Sequence, residues 1–368
     1  MNKARSSSTF SRKIVIVLIS IIFTLLVLEV LSRVWLNFFV LEEDRFEYSL
    51  HSYLRPDNQR YIPHHYLNYY PNPKYKRGKT FHNSLGYRND EFSIKKPERV
   101  FRIVAIGGSS TYTISVKDNE KTFTSQLERI LQDKYGYNNV EVINAGVGGY
   151  NSWESLVNLQ FRVLDLDPDL IIVYHGTNDV QTRFVEPESY TGDNSGRRKQ
   201  WRSPNIPILE YSALFRILLR NSGITSQVGI GNFVDSDTAY KPNSIINKNP
   251  FDLLKKNPPI YFKRNLTNIA AVSRANGTEI IFATWAHSSN FDDYASTPYY
   301  QQGFRENNEA VIEIAQINDI SMFDFASKMP EDKKYWADGR HVNELGAEKK
   351  AELFAEFIYN LGLINNSK

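Results

Sequence analysis

Three short apolar runs that end in glycine set the limits on what this chain can fold into. They are VFRIVAIGG at 100–108, VEVINAG at 140–146 and DLIIVYHG at 169–176, each rich in branched residues and too short for a stable helix. Amphipathic stretches at helical spacing separate them: TFTSQLERILQDKYG, then SWESLVNLQFRVLDL. A strand buried on both faces, a helix and the next such strand form the unit of a parallel sheet covered on both sides. The third strand leads into a polar loop carrying GRRKQWRSPN, a helix at ILEYSALFRILLRNSG, and a polar, turn-rich stretch at 222–258 that reads as a surface insertion or a substrate-facing flap. The alternation then resumes with a helix near 260–275, the strand TEIIFATWA, a helix around 303–317, a short strand near 320–324 and a last helix around 344–360. The predicted fold is α/β, a doubly wound and mainly parallel sheet with flanking helices.

A second constraint lies at the N-terminus. Residues 14–28, IVIVLISIIFTLLVL, carry no charge, and the apolar pattern resumes beyond Glu29 through Val30, Leu31, Val34, Trp35 and Leu36. A span over 14–36 is long enough to cross a bilayer. Glu29 is costly there unless it reaches the interface and pairs with Arg33 four residues on. The net charge is +3, but Lys3, Arg5, Arg12 and Lys13 supply four positive charges before the span, so the rest sums to −1. That asymmetry predicts a cytoplasmic tail at 1–13, a single transmembrane anchor and an extracytoplasmic body. A cleaved signal peptide is the rival reading, disfavoured because no small-x-small cleavage pattern follows the apolar run. Residues 37–99, dense in Tyr, His, Asn and Pro, read as an irregular spacer or lid, with Tyr87 and Arg88 able to reach a site rim. The near-neutral body gives no electrostatic footprint for nucleic acid, and the absence of cysteine excludes disulfides, iron-sulfur clusters and thiolate zinc sites.

In a sheet of this kind, sites collect beyond the carboxyl ends of the strands. Four groups belong in such loops: Gly107-Gly108-Ser109-Ser110-Thr111, Asn144-Ala145-Gly146-Val147-Gly148-Gly149, Gly176-Thr177-Asn178-Asp179 and Asp338-Gly339-Arg340-His341. Singly, each has a bland explanation. A glycine turn is a packing device, Ser-Ser-Thr a helix start, Asn178 a cap and Asp338 a turn former. GGSST lacks the later glycine of a dinucleotide fingerprint and the Lys-Ser/Thr of a phosphate loop. His175 reads as a strand-end packing residue, and Arg340, Tyr150 and Asn343 as shapers of the mouth. Trp201 and its basic neighbours read equally as a glycan or anion contact and as an ordinary exposed loop.

Together, in this order, the four blocks resemble the SGNH or GDSL-type hydrolase superfamily over roughly residues 100–363. The resemblance implies that Ser109 is the nucleophile, His341 its base and Asp338 the acid that orients the base. It also implies an oxyanion hole made by the Ser109 and Gly149 amides with the Asn178 side chain. Gly108 departs from the usual Gly-Asp-Ser form, which alters local turn packing more than it threatens hydrolysis. No cofactor and no metal are implied.

The chemistry that follows is ester cleavage through an acyl-enzyme. The expected function is a membrane-anchored serine esterase removing O-acyl, including O-acetyl, groups from a cell-envelope carbohydrate. Its alternatives are an envelope O-acyltransferase working with a membrane acyl-donor partner, a lipid esterase, and a noncatalytic scaffold. The expected partners are therefore an acylated glycan or lipid ester and the membrane.

Overall fold

The computed structural model describes residues 3–41, 44–45, 48–49, 59–199, 208–223 and 249–364, with side chains from Arg12 onward. Trp201, residues 1–2 of the basic tail and residues 224–248 of the expected insertion lie outside them. The chain divides into two compact units, 1–59 with 203–229, and 60–202 with 230–368.

The first unit is built on helix α1 (Lys3–Phe38). Its stretch Arg12–Phe38 is long and apolar enough to cross a membrane, and its large apolar side chains are almost all exposed.

The second unit begins with two small antiparallel hairpins, β1 (Tyr61–His64) with β2 (Asn68–Pro71), and β3 (Lys76–Arg77) with β4 (Thr80–Phe81). Five parallel strands follow: β5 (Phe101–Gly107), β6 (Val140–Gly146), β7 (Leu170–Tyr174), β8 (Glu279–Ala283) and β9 (Ser321–Phe323). Their order across the sheet is β6-β5-β7-β8-β9. The chain steps from β5 to β6 on one side, then crosses to β7 on the other. That reversal opens a crevice at the carboxyl ends of β5 and β7.

Alternation within β5 builds both halves of the core. Ile103 and Ala105 face helices α3 (Phe123–Asp133) and α11 (Glu344–Leu361), against Phe123, Leu127 and Phe354. Val104 and Ile106 face the opposite layer, against Phe262 and Leu266 of α8 (Ile260–Ala275) and Val311 and Ile314 of α9 (Pro298–Ile317). Three shorter helices start directly after strand ends or their loops: α2 (Ser109–Tyr112), α4 (Ser152–Asn158) and α5 (Thr177–Thr182). The remaining α-helices among the described residues are α6 (Ala213–Asn221), α7 (Pro250–Lys256) and α10 (Phe325–Lys328).

Two boundaries differ from the sequence reading. Residues 60–99 belong to the second unit, because Tyr61, Tyr69, His82, Tyr87 and Arg88 are buried in it. Arg88 therefore does not reach a rim. Its guanidinium donates to Asn119 Oδ1 (3.0 Å) and to the carbonyls of Tyr112, Thr113 and Val116 (3.0, 2.8 and 2.7 Å). The turn-rich stretch at 222–258 also stops being a surface insertion at α7, whose Leu253 and Leu254 enter the core. Proline at the start of α7 had disguised the helix as a turn.

His82 shows how tightly the hairpins are held. Its Nδ1 lies 2.8 Å from the Asn72 carbonyl oxygen and its Nε2 2.8 Å from Tyr112 Oη, in the last residue of α2. Burial, helped by the charges of Arg60 and Arg88, brings its pKa down from 6.5 to about 3. The unfolded chain takes up this proton near pH 6.5 and the folded chain only near 3, so acid favours unfolding between those limits. The expected loss of stability across that window is a few kcal/mol, with a limit of roughly 4–5. Urea unfolding of wild type and His82→Gln over this window should show a shallower pH dependence in the variant; parallel curves would contradict this account.

Candidate active site

The strand ends bring the first three blocks together. Gly108 is the N-cap of α2, so Ser109 opens a helical turn at the tip of β5. After β6, the Val147 amide donates to the Gly107 carbonyl (3.0 Å), which ties the 147–150 loop back to β5. Gly149 occupies this loop at φ +86°, a left-handed conformation that suits glycine. Asn178 sits in the first turn of α5 and donates through Nδ2 to the Tyr150 carbonyl (2.7 Å). An amide NH2 carries two hydrogens, so this bond leaves the other for a ligand.

Gly108 locks the arrangement. A Cβ placed on it would lie 2.5 Å from Asn178 Nδ2 and 3.0 Å from the Tyr150 carbonyl oxygen. The Asn178 amide thus occupies the space that a side chain at position 108 would fill.

The fourth block arrives from the turn before α11. Trp336 and Val342 form an antiparallel bridge, and the Ala337 amide donates to the His341 carbonyl (2.8 Å), closing a tight loop around Asp338. Asn343, expected at the mouth, instead caps α11 through Gly346 and braces the loop through the Lys334 and Trp336 carbonyls. His341 Nε2 lies 2.8 Å from Ser109 Oγ. Asp338 receives His341 Nδ1 at 2.8 and 3.1 Å, and the Arg340 and His341 amides at 2.7 and 2.8 Å. Burial by itself raises the Asp338 carboxyl. The His341 hydrogen bond and charge, with the two amides, outweigh it and hold the group below its usual range. An ionised Asp338 fixes the proton on Nδ1 and leaves Nε2 as an acceptor for the Ser109 hydroxyl.

Ser110, the hydroxyl next to Ser109, has a different partner: its Oγ donates to the Arg340 carbonyl (3.0 Å) and thereby docks the histidine loop on α2. His175 is buried, with Nδ1 3.3 Å from Asp179 Oδ2, away from the Ser109–His341 pair's hydrogen bonds. Tyr150 is buried too, its hydroxyl donating to the Tyr69 carbonyl rather than lining a mouth. The Arg340 guanidinium stacks 3.9 Å above the Tyr294 ring.

Several supporting residues carry no motif. Tyr61 Oη accepts the Gly148 amide (3.0 Å) and Tyr69 Oη donates to the Gly148 carbonyl (2.8 Å), so hairpin β1-β2 grips the loop next to Gly149. Arg198 donates to the Gly149 carbonyl and, through Nε, to the buried Glu154 carboxylate (2.9 Å), which also completes the capping box of α4. Lys350 is buried against the rings of Tyr174 and Phe123 (3.8 and 4.0 Å) and donates to the Ser110 carbonyl (3.3 Å). Burial pushes its pKa well below the usual lysine value. Its signal was in the sequence: it falls on the stripe Ala347, Ala351, Phe354, Ile358 that turns to the core. Among the described residues, no group of His, Cys, Asp and Glu has the arrangement to hold a metal ion.

Residues 105–349 match the GDSL-like Lipase/Acylhydrolase family. Among solved structures, the chain is similar to a lipase/acylhydrolase from Enterococcus faecalis, with 17% identity over 71% of this chain and 96% of that one, at a TM-score of 0.42. It is similar also to a GDSL-like lipase from Bacteroides thetaiotaomicron, with 16% identity, 72% and 90% coverage and a TM-score of 0.40. A third is an acetyl xylan esterase from Geobacillus stearothermophilus, with 13% identity, 72% and 97% coverage and a TM-score of 0.44. No curated protein matches the chain.

The Gly108 contact can be tested directly. Gly108→Ala should displace the Asn178 amide and lower turnover of a short-chain p-nitrophenyl ester by about 10²-fold, the scale of one lost oxyanion donor, while thermal unfolding stays nearly unchanged. Full activity in a folded variant would mean that Asn178 need not stay where it is.

Proposed function

The chain belongs to the GDSL-like lipase/acylhydrolase family, whose chemistry is that of a serine hydrolase acting on esters, and from that premise we propose a complete mechanism and a substrate class. Ser109 is the nucleophile, His341 the general base and Asp338 the group that orients and stabilises the imidazolium. The observation that carries this reading is the continuous chain from Ser109 Oγ through His341 to Asp338, with 2.8 Å at both junctions.

Ser109 Oγ attacks the ester carbonyl as its proton passes to His341 Nε2. Negative charge then develops on the carbonyl oxygen, where the Ser109 and Gly149 amides and the second hydrogen of the Asn178 amide receive it; each such donor contributes about 3 kcal/mol. Collapse breaks the bond to the alcohol, which leaves with the proton from His341. Water, deprotonated by His341, attacks the acyl-enzyme, and the acid departs as Ser109 regains its proton. Asp338 stays ionised throughout.

The substrate is an O-acyl ester, acetyl included, of a cell-envelope carbohydrate. Two features support it. Helix α1 has the length and apolar surface of an anchor, and the basic tail before it favours a cytoplasmic N-terminus with the hydrolase outside. Polar and aromatic groups cluster on the loops that carry the site: Asn178, Gln181, and Arg340 stacked on Tyr294, whose hydroxyl accepts from Gln181 (3.1 Å). Such groups suit a hydroxyl-rich alcohol better than an acyl chain.

The test is turnover of an acetylated envelope glycan by the full chain and by Ser109→Ala, following free acid and acylated acceptor by mass spectrometry. Free acid should be released by wild type, and Ser109→Ala should lose about 10³-fold or more in rate while remaining folded. Undiminished turnover by Ser109→Ala would overturn the assignment. Passage of the acyl group to an added glycan hydroxyl in preference to water would replace hydrolysis by transfer, with the same acyl-enzyme.

A further inference from the structure

Glu29 poses the problem. It follows fifteen uncharged residues of α1, yet the apolar, exposed surface continues past it through Val30, Leu31, Val34 and Trp35. A carboxylate at that level of a spanning helix needs full compensation. It has it: Glu29 accepts Arg33 Nε (2.8 Å), Ser212 Oγ (2.8 Å) and the backbone amides of Ala213 and Leu214 (3.0 Å each). Glu29 therefore caps the N-terminus of α6 from another part of the chain, where the helix dipole favours a negative charge. Arg33 adds a second bond, to the Tyr211 carbonyl (2.7 Å).

These bonds fix the level of residues 208–221 along α1. A segment at that level faces the same surroundings as α1 itself, and its composition fits. Ile208 is 84% exposed, Tyr211 67% and Leu218 54%, with Phe215 also exposed. Arg220, in the last turn of α6, carries the kind of long cationic side chain that reaches lipid phosphates by snorkelling. An exposed apolar face of this kind on a short amphipathic helix, continuous with the apolar flank of a membrane helix, has the character of an interfacial element.

We propose that residues 208–221 form a second membrane element, an amphipathic segment immersed in the lipid leaflet around Glu29 and Trp35 and bolted to the anchor by the Glu29 carboxylate. It rests on the anchor reading of α1 and not on the ester chemistry. The chain thus enters the membrane twice, once before the hydrolase fold begins and once within it, between residues 199 and 249.

The chain has no cysteine, so single nitroxide labels report cleanly. Leu26→Cys, Phe215→Cys, Leu218→Cys and Asn221→Cys are placed in the full chain, reconstituted in phosphatidylcholine and phosphatidylglycerol vesicles. Collision rates are measured with oxygen, which concentrates in lipid, and with a water-soluble nickel chelate. Labels at 215 and 218 should resemble the one at 26, with oxygen collisions dominant, while 221 should favour the chelate. Combining Leu218→Cys with Glu29→Ala should raise chelate access at 218 several-fold and leave a label at 26 unchanged. Chelate-dominated labels at 215 and 218 beside a lipid-exposed 26 would overturn the proposal and spare the anchor. Low collision with both reagents would mean that protein, not lipid, covers the face, and would overturn it as well. A chelate-exposed label at 26 would remove the anchor and the proposal together, while ester turnover by the same preparations would stand apart from all three.

Discussion

The 2.8 Å contact between Ser109 Oγ and His341 Nε2 joins residues 232 positions apart in sequence, and most of the molecule's second unit serves to hold it. One partner stands at the tip of β5, the other on a loop before α11. Neither position would hold without the groups behind it. Ser110 bonds the carbonyl beside His341, Lys350 reaches from α11 to the Ser110 carbonyl, and Arg88 collects three carbonyls just after the Ser109 turn. Buried donors facing backbone carbonyls are costly to leave unpaired, so each resists any movement that would strand it.

The proposed oxyanion side depends on a different device, close approach. Gly108 has no side chain, so Asn178 can lie against it, and the Tyr150 carbonyl that holds Asn178 belongs to the same loop as Gly149. Hairpin β1-β2 then grips that loop through Tyr61 and Tyr69. Preorganised donors of this kind need no reorganisation as charge develops, which is where an enzyme of this chemistry gains most.

Much of this was legible in the sequence because it is local. Strand, glycine and helix follow one another within a few residues, and the apolar alternation that names β5, β6 and β7 is the same alternation that builds the two core layers. The Asp338 and His341 pair was legible too, since three residues on a turn suffice to bring carboxylate and imidazole together. What was not legible depends on long-range burial. The stretch 60–99 has no period, and only folding shows its tyrosines and Arg88 filling gaps around the loops of the site. Glu29 was read as an interfacial charge paired with Arg33. That pair exists, but its larger role, capping α6 from 184 residues away, leaves no trace in local pattern.

The central claim is that Ser109, and no neighbouring hydroxyl, is made nucleophilic by this geometry. Inactivation of the full chain with an alkyl fluorophosphonate, followed by peptide mapping, tests it most directly. The account expects one phosphonyl group per chain, on Ser109, and none when Asp338→Asn disrupts the orientation of His341. A label on Ser110, or undiminished labelling of Ser109 in the Asp338→Asn protein, would contradict it.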